Sequence, residues 1–65
     1  MTITQQANAL RAQIARTPKS SRTGGYRQIA LRCIRNAALL DGRNAEVAAQ
    51  YMAEARHAAQ YVVAI

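Results

Sequence analysis

The chain has 65 residues, a formal net charge of +6 and a single cysteine. A domain of this size buries only about 60% of its unfolded surface and is marginal alone, and the lone Cys33 excludes an internal disulfide. One His, one Cys and three carboxylates, with no close His/Cys spacing, give no zinc site, so no metal or cofactor is expected. Oligomerisation is the staple left, and a homodimer is the expected state.

Fifteen residues are alanine, the best helix former, while Phe and Trp are absent. This composition predicts helices packed closely through small side chains. No run of eighteen apolar residues is present to span a membrane, and no basic segment followed by an apolar one marks a secretory leader. A lone reduced thiol fits a cytoplasmic setting.

Thr2-Ile3-Thr4-Gln5 fits a capping box, with Thr2 as N-cap and Gln5 three residues on. The helix it opens is predicted over about 3–16. Ile3, Ala7, Leu10 and Ile14 form a narrow apolar stripe, with Gln6, Arg11 and Gln13 on the opposite side. Thr17-Pro18 ends it, because a residue before proline is pushed out of the α region.

Residues 17–25 read as a basic loop carrying Lys19 and Arg22. Two readings stand side by side. One is a phosphate-contacting loop leading into a helix N-terminus; the other is a solvated linker. A Walker-type loop is excluded, since no Gly-Lys-Ser/Thr follows the glycines.

The central helix is predicted over about 25–40. Tyr26, Ile29, Ala30, Cys33, Ile34, Ala37 and Leu40 share one side at 3.6-residue spacing. Arg27, Arg32 and Arg35 lie on the other, with Gln28 and Asn36. Leu31 and Leu39 fall among the arginines, either as an apolar contact for a partner or as ground covered by the first helix.

Asp41-Gly42-Arg43-Asn44 is the joint. Gly42 suits a left-handed residue past a helix end, and Asn44 is a good N-cap. The last helix, about 45–63, directs Val47, Ala48, Tyr51, Met52, Ala55, Ala58, Ala59 and Val62 inward. Glu46, Gln50, Ala53, His57 and Gln60 face out. The apolar end, Val62 to Ile65, is expected against the first helix or in a subunit contact, with Val62 and Ile65 at or near the dimer interface.

The fold class is therefore all-α. An antiparallel helical hairpin (about 25–40 and 45–63) carries a short N-terminal helix (about 3–16), and residues 1–65 form one domain completed by dimerisation.

Charge is unevenly placed. Residues 1–40 carry seven basic side chains and no acid, whereas 41–65 carry Arg43 and Arg56 against Asp41, Glu46 and Glu54, a net of −1. An acid-free basic half implies an anionic partner. Arg27, Arg32, Arg35, Lys19 and Arg22 are the expected binding residues, and Leu31 and Leu39 the expected apolar contacts. The first functional reading is a small regulator binding nucleic acid through the arginine face. The alternative is an inhibitor or adaptor, of the kind mobile genetic elements encode, that binds an acidic groove of a larger protein. A helix-turn-helix is the weaker form of the first, because the helix after the joint carries two acids. Binding to anionic membranes is disfavoured by the lack of Trp and Phe.

No catalytic residue is expected. Cys33 falls on the apolar side of its helix, where a free cysteine acts as a small hydrophobe, and His57 faces away. The carboxylates show no acid/base pairing. Tyr26 and Tyr51 align with the core, which favours packing over base stacking; Tyr61 lies at the edge.

Overall fold

Capping chemistry sets where the first helix begins. The computed structural model describes residues 2–63, Val63 by its backbone alone. Helix α1 runs Ile3–Arg16, α2 Gly24–Leu40 and α3 Ala45–Val63, and the described residues contain no strand. The predicted capping box is formed: Gln5 N donates to Thr2 Oγ1 (3.1 Å), and Thr2 N donates to Gln5 Oε1 (2.9 Å). At the joint, Gly42 takes φ +83°, a conformation that costs a Cβ-bearing residue energy. The Val47 amide donates to Asn44 Oδ1 at 3.2 Å, so Asn44 caps α3 as expected.

The α2–α3 hairpin is the most extensive packing in the chain, and α1 lies against both its arms. Thr4 of α1 meets Asp41 beyond the end of α2, while Ile14 and Thr17 meet Arg27 near its start. Helix α1 is thus antiparallel to α2. Among the described residues, seven of the twelve buried apolar ones are alanines (Ala7, Ala30, Ala37, Ala48, Ala55, Ala58 and Ala59). Such a lining lets backbones approach to the short end of the usual 8–10 Å between helix axes. Among the described residues, only Ile14, Ile34 and Met52 are large side chains fully shut from solvent.

Two expected core positions lie elsewhere. Tyr26 and Ile29 are 42% and 49% exposed. They occupy the edge of the α2 stripe that turns away from α1, and no described element covers that edge. The stripe's periodicity found the right side of α2 but overstated its buried width. Leu40, Val47 and Tyr51 are half-buried for the same reason. Gln6, expected to face away, is half-buried and accepts a hydrogen bond from Arg56. Val62 is buried within its own chain and so is covered without a second subunit; the expectation for Ile65 lies outside the described residues.

Two outcomes test this packing. Ala55 is buried and Ala53 exposed, so Ala55→Leu should overpack the hairpin and cost roughly 1–3 kcal/mol in urea denaturation, with Ala53→Leu nearly neutral. Asp41 accepts hydrogen bonds from Thr4 Oγ1 (2.6 Å) and Thr4 N (3.1 Å). These bonds hold its carboxyl below the usual range, the hydroxyl bond most. A depressed folded-state pKa adds stability that is present above the unfolded value, about 3.9, and is lost as pH falls through the folded one. Thr4→Val should therefore lower the melting temperature at neutral pH, and the difference should shrink in strong acid.

Candidate functional site

At 100° per residue, Gln28, Leu31, Arg32, Arg35 and Leu39 share the side of α2 opposite the buried Ala30, Ile34 and Ala37. All five are exposed. Leu31, Arg35 and Leu39 follow one another at four-residue steps, so the arginine stands between two leucines on one line. Leu31 is 37% exposed and Leu39 61%; α1 does not cover them. Arg32 lies beside that line.

None of the three carboxylates pairs with Arg32 or Arg35 among the described residues. Asp41 is held by Thr4, Glu54 accepts from Cys33, and Glu46 sits in the first turn of α3, where an acid suits the helix dipole. Two cations on one rigid turn therefore stand unneutralised toward solvent.

Arg27 is separated from this pair. Its side chain is half-buried and turns to the C-terminal end of α1, where Nη1 donates to the Ile14 carbonyl (3.1 Å) and Nη2 to that of Thr17 (2.7 Å). The Ile14 carbonyl also accepts the Thr17 N–H (3.0 Å), so the guanidinium adds a charge-assisted bond to it, and a cation at a helix C-terminus is favoured by the dipole. Arg27 was expected to contact a partner; in the fold its guanidinium joins α2 to α1. Its buried Nε has no hydrogen-bond partner among the described residues, so the fork is fitted to those two carbonyls and not to a third group.

Arg11, not among the expected binding residues, lies on the same edge of α1 as Thr4. Thr4, Asn8 and Arg11 follow one edge of α1, and the Thr4–Asp41 contact fixes that edge beside α2. Arg11 is exposed and donates from Nη1 to Asn8 Oδ1 at 3.1 Å. Its spacing from Thr4 was readable in the sequence; which helix that edge would meet was not.

Lys19 and Arg22 are exposed in the 17–23 connection. That loop is locally bonded: Arg22 N donates to Ser20 Oγ (3.2 Å) and Thr23 N to the Ser20 carbonyl (3.2 Å). The buried Thr23 hydroxyl also turns back to the Ser20 carbonyl (3.3 Å) and gives α2 no side-chain cap.

The remaining chemistry-bearing groups lie along the α2–α3 seam. Cys33 Sγ is 3.7 Å from Glu54 Oε2. Burial, then the Glu54 charge and hydrogen bond, push the thiol pKa up, against a smaller opposing pull from Arg32. A thiol kept protonated is a poor nucleophile. His57 is exposed and meets the Tyr61 ring edge-on at 5.8 Å. Tyr26 stacks on Tyr61 at 4.5 Å, so its ring packs across the seam but outside the core.

Compared with known proteins, the chain matches no protein-family model, no curated protein and no solved structure.

The two uses of arginine predict different losses. Arg27→Gln should cost about 1–3 kcal/mol in denaturant unfolding, because it removes two charge-assisted hydrogen bonds that tie α2 to the end of α1. Arg35→Gln should stay within about 0.5 kcal/mol of the parent.

Proposed function

We propose that the chain is a small non-enzymatic regulatory protein that binds nucleic acid through the outer face of α2. Arg32 and Arg35 are its centre, with Arg11 at its border and Lys19 and Arg22 as further phosphate contacts. The supporting observation is the unneutralised pair itself: both guanidinium groups are exposed, and no described acid reaches them. The guanidinium fork matches phosphate oxygens in bidentate geometry. The reading includes a cytoplasmic setting and action as a homodimer, which would present two such faces.

A second reading is favoured by Leu31 and Leu39. Phosphates have no use for exposed leucines flanking Arg35, whereas an acidic groove with an apolar floor would engage all three. This is the inhibitor or adaptor reading.

Binding to a duplex oligonucleotide across a salt series separates the two. Each lost phosphate contact flattens the log–log salt dependence by about 0.9. Arg32→Gln with Arg35→Gln should therefore weaken binding and reduce the slope by about 1.8, with helicity unchanged. Arg27→Gln should lower stability and leave the slope alone. An unchanged slope in the double variant defeats the nucleic-acid reading. If Leu31→Ala or Leu39→Ala instead weakens capture of a protein partner as much as losing an arginine does, the adaptor reading takes its place.

A further inference from the structure

The side of the hairpin turned away from α1 carries an apolar face that nothing described covers. Tyr26 and Ile29 from α2 and Tyr61 from α3, 48% exposed, stand together there. With Glu54, His57 and Ala58 they line an open cleft of about 280 Å³. Val47, Gln50, Tyr51 and Glu54 line a second of about 310 Å³ farther along α3. Neither cleft is lined by Lys or Arg, in a chain of net charge +6. We infer that this face is where a second copy of the chain docks.

Charge selects that occupant. Two copies of a strongly basic chain repel, and they approach most easily through their least basic surface. A two-fold contact must be self-complementary. Glu54 and His57 meet that condition, being one helical turn apart on the same edge of α3. A two-fold axis between them sets the Glu54 carboxylate of each copy against the His57 imidazole N–H of the other, while Tyr26, Ile29 and Tyr61 fill the contact around them. A nucleic-acid strand would bring its phosphates toward Glu54, and no cation lining the clefts would offset that repulsion.

A face made of a few half-exposed side chains is small for a subunit contact, so the dimer it forms is reversible and concentration-dependent. This inference rests on the self-association in the proposed function and adds the face that carries it; the arginine face is a separate surface.

Sedimentation equilibrium of the full chain, from low micromolar to several hundred micromolar, is the test. The parent should pass from monomer to dimer. Ile29→Glu and Tyr61→Glu change exposed side chains and should keep helicity while raising the dimer dissociation constant about tenfold or more. Leu39→Glu, on the outer face of α2, should leave it unchanged. Glu54→Lys should weaken the dimer, and adding His57→Glu should restore it, since the reversed pair is again self-complementary. A parent that dimerises but ignores Ile29→Glu, or that is dissociated by Leu39→Glu, overturns this face while self-association stands. A parent that remains monomeric throughout removes self-association itself. If Tyr61→Glu then weakens only single-stranded oligonucleotide binding, the face is a base-stacking platform and not a subunit contact.

Discussion

The close contact between α2 and α3 through alanine is the constraint on which the other features depend. Ala30 and Ala37 on one arm and Ala48, Ala55 and Ala59 on the other are all buried. Small side chains let the helices approach and multiply weak dispersion contacts along the seam. They also limit how much apolar area the chain can hide, since each alanine removes far less surface from water than a leucine would. The hairpin is therefore narrow, with room for α1 on one side only. Tyr26, Ile29 and Tyr61 are left outside because two thin helices cannot enclose them.

Much of this was legible in the residues. Capping signals located the helix ends to within a residue or so: Thr2 with Gln5, Gly42, and Asn44 each act as their chemistry requires. Periodicity identified the inward side of each helix, because Ala30, Ile34 and Ala37 on α2 and Ala48, Ala55 and Ala59 on α3 repeat at helical spacing and are buried. What periodicity does not carry is the width of a neighbour. Tyr26 and Ile29 obey the stripe and are nevertheless exposed, since their burial depends on whether another helix lies beyond the seam.

The same limit applies to charge. Arg27, Arg32 and Arg35 look equivalent along the sequence, being spaced on one half of one helix. Their fates diverge because α1 ends beside Arg27 and not beside the other two. Arg27 is drawn in because the Ile14 and Thr17 carbonyls at the end of α1 accept its two guanidinium donors; an arginine turned to water keeps its charge available. Asp41 is the counterpart at the opposite end of α1. An acid sits at the amino end and a cation at the carboxyl end, each supplied by α2 or its immediate end, and each has the sign the helix dipole favours.

That arrangement fixes an order of assembly. The two arms of the hairpin are joined by a four-residue turn, so their contacts close a short loop and carry little entropic cost. The docking of α1 is different in kind: its first turn must find Asp41, 37 residues distant from Thr4 along the chain. On the ribosome α1 emerges before either partner helix exists. Until they follow it, α1 is a segment of fourteen residues without its partner helices, marginal at that length. The capping box, made within Thr2–Gln5, is the one stabilising device at its amino end that requires no other part of the chain. It can hold that turn in helical register until Asp41 and Arg27 have been synthesised and the hairpin has closed to receive it.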